Sequence, residues 1–138
     1  IFDMMHFLKS GNSLKSITDI FVAYLAQANR PFSELLKPNI KDIGQVFKAN
    51  FEGMTREKVS LDELIAYRGE IIEQLPGLLR ENYKGLLISI MEDRPKWEKL
   101  PFKNIGDYPG VQWKLFNIRK MSLDKIKEEI RLIDAVFQ

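Results

Sequence analysis

Few side chains in this sequence could carry covalent or metal chemistry. Among 138 residues there is one histidine, His6, and no cysteine. A Cys-His dyad, a thiolate zinc site and a two-histidine metal site are therefore excluded. His6 lies between Met5 and Phe7, which reads as a packed structural position. No GxSxG elbow surrounds a serine, and neither GxGxxG nor GxxxxGK[ST] is present to cradle a phosphate. Carboxylates are plentiful, but most fall where helices favour them. Asp62 and Glu63 suit the positive end of a helix dipole, and Glu128 and Glu129 lie among lysines at pairing distance. Asp3 differs, because it leads the apolar run IFDMMHFL and any partner carboxylate would precede Ile1. With one histidine, no cysteine and a lone Asp3, no metal site is expected within these residues.

Charge is the second source of chemistry. The net charge is only +2. Residues 94 to 121, however, carry Arg94, Lys96, Lys99, Lys103, Lys114, Arg119 and Lys120 against Glu98 and Asp107, a local +5, whereas residues 52 to 93 sum to −4. Such polarity steers an anionic partner toward the basic segment, or else marks one solvated face of a helical domain.

The elements that must position these groups are helices. In SLDELIAYRGEIIEQL, Leu61, Leu64, Ile65, Ile71, Ile72 and Leu75 share one face. Ser60 and Glu63 form a capping-box pattern at its start, and Pro76-Gly77 reads as its stop. DMMHFLKS reads as a short helix ended at Gly11. Asn12 or Ser13 then caps a helix with the stripe Leu14, Ile17, Phe21, Tyr24, Leu25 and Ala28. PFSELL is a turn or short helix, and KDIGQVFKANF a helix weakened by Gly44. In FEGM, Gly53 is expected at positive φ with Phe51 and Met54 inserted into the core. Tyr83, Leu86, Leu87, Ile90 and Met91 mark a further helix, and the proline-rich run from Arg94 to Gly110 is a loop pinned by Trp97 and Phe102. Val111, Leu115 and Ile118 share a face that leaves Trp113 and Lys120 elsewhere. Ser122 caps the last helix, with Leu123, Ile126, Ile130, Ile133 and Phe137 in three-four alternation.

No run alternates with period two. The expected fold is a single all-α domain over residues 1–138, with about six to seven helices, no significant sheet, and Leu64, Ile65, Leu86, Leu87, Leu115, Ile126 and Ile130 buried together. The longest apolar run, IFVAYLA, falls short of the roughly 20 residues that span a bilayer, so no membrane partner is expected. The absence of cysteine fits a reducing cytoplasm. The opening Ile1-Phe2-Asp3, without an initiator methionine, reads as a chain belonging to something longer.

Four stretches carry a resemblance. FEGMT followed by VSLDELIAYR, then FDMMHFL, YLAQANRPFSELL and PGVQWKLFNIRKM, resemble, in the family's order along the chain, the C-terminal region of the nucleotidyltransferase AbiEii/AbiGii toxin family of type IV toxin-antitoxin systems. The resemblance implies a bacterial protein with a polymerase β-like nucleotidyltransferase core, a pair of metal-binding acids, Mg²⁺ in the full-length enzyme, and transfer of a nucleotide from an NTP to an acceptor that in some members is tRNA. The core's Gly-Ser turn and Asp-x-Asp pair are absent from this sequence, and Asp3 falls where the family's last catalytic aspartate would stand. What remains is the helical C-terminal domain, expected to pack beside its own upstream core and to line the acceptor cleft. Arg30, Lys114, Arg119 and Lys120 are the candidate phosphate contacts. The alternative is a non-catalytic helical interaction module that docks a protein such as a cognate antitoxin.

Overall fold

One long helix organises the rest. In the computed structural model, which describes residues 1–138, the elements are α1 (Phe2–Lys9), α2 (Thr18–Gln27), α3 (Phe32–Leu36), α4 (Gly44–Asn50), α5 (Leu61–Met91), α6 (Pro109–Arg119) and α7 (Leu123–Val136), with no strand. The all-α expectation holds. Ser60 starts α5 as predicted, its hydroxyl accepting from the Glu63 amide at 3.1 Å. The returning half of the box is missing, because the Glu63 carboxylate pairs instead with Lys9 of α1.

The expected stop at Pro76-Gly77 does not occur, and α5 runs through it to Met91. An interior proline forfeits one helical hydrogen bond and crowds the preceding turn, a cost of about 3 kcal/mol. Beyond it lie Leu79, Tyr83, Leu86, Leu87, Ile90 and Met91, all buried. Each such side chain contributes roughly 1.5–3 kcal/mol when withdrawn from water, so packing outweighs the proline.

These residues belong to a core of 19 buried side chains gathered from α2, α3, the second half of α5, α6, α7 and the segment before α6, which adds Leu100 and Ile105. Ile126 and Ile130 pack against its edge. A separate cluster of 3, Met5, Phe47 and Leu64, joins α1 and α4 to the start of α5. The expectation of one continuous core is corrected accordingly: Leu64 sits in the small cluster and Ile65 is 39% exposed. In α2 the buried face is Val22, Ala23, Leu25 and Ala26, while Tyr24 points outward. That helix is preceded by a 3₁₀ turn over Leu14–Ile17, which rotates the stripe away from the predicted register. Gly53 has φ +79 as expected and Phe51 is half-buried, but Met54 is 78% exposed. The left-handed residue turns the chain off the cluster, so the side chain after it faces solvent.

The segment from Glu92 to Tyr108 is held as anticipated by Trp97 and Phe102 against the main core. Ser89, buried in α5, adds a polar tie by accepting from the Lys96 amide at 3.1 Å. α2 and α6 approach closely at Gly110, where a Cβ would lie 2.9 Å from Gln27 Cβ and 3.3 Å from the Gln27 carbonyl oxygen. At Gly77, by contrast, a Cβ meets nothing within 4 Å. Gly110→Ala should therefore lower stability by about 1–3 kcal/mol through overpacking, and Gly77→Ala should raise it by about 0.5–1 kcal/mol through helix propensity. Urea midpoints of the two variants check this, and a stabilised Gly110→Ala protein would refute the close approach.

Candidate functional site

Two buried charges meet at the turn between α2 and α3. The linker after α2, Ala28-Asn29-Arg30-Pro31, lies outside both helices, and the carbonyls of Ala28 and Arg30 need partners from elsewhere. Lys114 of α6 is buried, and its Nζ donates to the carbonyls of Ala28 at 2.7 Å and Arg30 at 2.9 Å. The same ammonium stands 4.1 Å from the centre of the buried Phe32 ring. Burial pushes the Lys114 amine down from the usual 10.5 to about 8, and the Glu129 charge opposes that shift.

Glu129 of α7 serves the other end of the turn. Pro31 occupies the N-cap of α3 and offers no side-chain oxygen, so the first amides of that helix lack a local acceptor. The Glu129 carboxylate takes the Ser33 amide and the Ser33 hydroxyl, each at 2.9 Å. An anion thus caps the positive end of α3 from 96 residues away, while a cation satisfies the carbonyls just beyond the negative end of α2. Glu129 was expected on a solvated face among lysines; it is 7% exposed because its position on α7 faces α3. Between Asn29, Arg30, Lys114, Asn117, Met121 and Glu129 there remains a cleft of about 140 Å³.

Lys114, expected on a phosphate backbone, is instead directed inward to two carbonyls. Arg30 lies exposed on the turn and holds Glu34 at 2.6 Å. Arg119, at the end of α6, holds Asp93 at 2.8 Å. Lys120 is exposed, with its ammonium 3.8 Å from the centre of the Phe116 ring. The turn therefore brings Arg30 and Lys114 together through backbone, and Arg119 and Lys120 close the same helix. Asp3 is exposed in the first turn of α1, a helix packed on α5. No family model, curated protein or solved structure matches this chain.

No three His, Asp or Glu side chains converge in the structure. No helix is long and apolar enough to cross a membrane. Sequence reading missed Glu129, Ser33 and Phe32 as members of the turn cluster, although a signal existed. Lys114 lies three residues after Val111 and four before Ile118, and Glu129 three after Ile126 and four before Ile133, so both charges fall within apolar stripes.

Above pH 8, unfolding must return a proton to the Lys114 amine. This group therefore adds stability as pH rises from about 8 toward 10.5, and none of that gain is present below 8. Lys114→Met should cost about 1–3 kcal/mol at pH 7 by orphaning the carbonyls of Ala28 and Arg30. The advantage of wild type over the variant should widen between pH 8 and 10. Denaturant titrations at pH 7 and pH 10 measure both quantities, and an advantage that shrinks with pH would contradict a buried, proton-releasing lysine.

Proposed function

We propose that this chain is the helical C-terminal domain of an AbiEii-like nucleotidyltransferase, supporting the catalytic core and lining the cleft that receives the acceptor. One observation carries the reading. Two of the four stretches that resemble the family, ANRPFSELL and WKLFN, are distant in sequence and meet in one hydrogen-bonded cluster through Lys114, Ala28 and Arg30. A pattern whose separated parts assemble into one buried feature is better explained by a shared fold than by scattered coincidence.

In this role the domain supplies position and charge, and the metal-holding carboxylates belong to the core. Asp3, exposed in the first turn of α1, would join those carboxylates only from the edge of the domain. Lys120, at the exposed end of α6, is the residue assigned to acceptor phosphates, since Arg119 is held by Asp93. The core packs on the apolar groove formed by Phe2, Ile43, Val46, Phe47 and Leu64, where Val46 is 60% exposed. That same groove favours the second reading, a non-catalytic module covered by a protein partner such as an antitoxin.

The test incubates the 138-residue chain, and separately the polypeptide encoded by its whole reading frame, with labelled NTPs, Mg²⁺ and total tRNA. Labelling of tRNA is expected from the longer polypeptide alone, because positioning and electrostatic stabilisation of the transferred group need the acidic pair. Metal-dependent labelling by the shorter chain would overturn the supporting role. A reading frame that encodes no acidic core, together with no labelling by either polypeptide, would leave the interaction module.

A further inference from the structure

The outward face of α6 is chemically unlike the rest of the surface. Trp113 and Phe116, one turn apart, are 54% and 44% exposed. Their rings stack with centroids 5.6 Å apart and planes inclined by 25°. Lys120 continues the row one turn further, with its ammonium over the Phe116 ring. Isolated exposed apolar residues are ordinary on protein surfaces, but two stacked aromatic rings with a cation in line form a flat π surface beside a positive charge.

The loop that leads into α6 and the end of that helix carry an excess of positive charge. Lys114 is internal and Arg119 is neutralised by Asp93, yet Arg94, Lys96, Lys99, Lys103 and Lys120 are all exposed and none takes part in an ion pair. Against Glu98 and Asp107 they leave +3 on α6 and the loop that leads into it. A surface that offers both base-sized π faces and unpaired cations complements a strand whose bases are free to stack, because bases supply the rings and phosphates the negative charge. A duplex hides its base faces and would use only the charge.

We infer that the Trp113–Phe116 face of α6, with Lys120, binds single-stranded RNA by stacking at least one unpaired base. The identity of the strand as RNA rests on the proposed acceptor role; the stacking rests on the face alone. Lys120 leaves its ring at little cost, since an exposed cation–π contact is worth only about 0.5–1 kcal/mol, and becomes available to a phosphate. Arg119 stays with Asp93 and orients the end of the helix.

The experiment measures anisotropy of a labelled, unstructured oligoribonucleotide of about 12 nucleotides, within the span a single binding groove commonly covers. The same strand annealed to its complement, and heparin as a polyanion without bases, are the comparisons. The chain should prefer the single strand, and Trp113→Ala should weaken that binding about tenfold, as expected for loss of one stacked base. The same variant should leave duplex and heparin binding unchanged. Trp113→Phe should restore most of the loss, and Lys120→Gln should weaken all three ligands and flatten their salt dependence. Circular dichroism verifies that each variant is folded, which the exposure of both side chains favours.

Single-strand affinity unaffected by Trp113→Ala, or a preference for the duplex, would overturn the proposal. The outcome is separable from that of the transferase reading. Stacking by this chain without nucleotide transfer by the longer polypeptide refutes the transferase and keeps the face; transfer without stacking does the reverse.

Discussion

The structure depends on the pairing of two buried charges with the backbone of a single turn. Four helices converge on Ala28–Ser33: α2 enters it, α3 leaves it, α6 brings Lys114 and α7 brings Glu129. Burying either ion without partners would cost several kcal/mol. Here each is met by hydrogen bonds from groups that would otherwise be orphaned themselves, and no buried side-chain nitrogen or oxygen in the chain lacks a partner. The arrangement contributes more to specificity than to net stability. Sliding α6 by one turn, or α7 relative to α3, would leave a charge and its carbonyls or amides unpaired, so alternative packings of the same apolar stripes are penalised.

That dependence explains which parts of the fold were legible. The helical class, the inward face of α6 and most of that of α7 followed from spacing, because apolar residues at three and four report burial, but Leu123 at the start of α7 is 73% exposed. Polar residues inside those stripes carried the additional information, and Lys114 and Glu129 do so at the same spacings. By residue type a lysine and a glutamate belong in solvent, and here position within the stripe overrides type. The error at Pro76 has a different origin. Proline reports a local cost, whereas the continuation of α5 is decided by Leu79 and the residues after it, whose burial depends on α2 and α3 far upstream and on α6 and α7 downstream. Met54 illustrates the limit of turn chemistry: the glycine was placed correctly in φ, but direction after a left-handed residue is set by tertiary contacts that periodicity does not encode.

The division into two clusters follows from the length of α5. At 31 residues it extends roughly 46 Å, more than one small core can cover. Its ends are therefore buried by different partners, Leu64 by Met5 and Phe47, and the segment after Pro76 by α2, α3, α6 and α7. Between them Ile65, Ala66, Gly69 and Glu70 are exposed. With few buried contacts, the smaller cluster is the part of the domain that opens most readily, and it also lines the apolar groove assigned to the core. A second protein surface laid on Val46 and Phe47 would complete a core that this chain only begins.

Folding also redistributes the charge that the sequence displays. Counted along the chain, residues 94–121 carry +5, but Lys114 is consumed by the turn and Arg119 by Asp93, so the field outside is weaker and more local than composition implies. What survives is the loop cations and Lys120, and the latter stands beside the stacked aromatic pair. Net charge alone would bind any polyanion, with an affinity that salt removes. Recognition of unpaired bases requires a second interaction that salt does not screen, and on α6 that interaction is supplied by Trp113. The inward face of the helix fixes the turn through Lys114 while its outward face remains free, because residues 113 and 114 point in different directions on one rigid element. The two faces are thus held at a fixed angle to one another by the backbone of α6, so the contacts that seat its inward side also set where the aromatic pair stands.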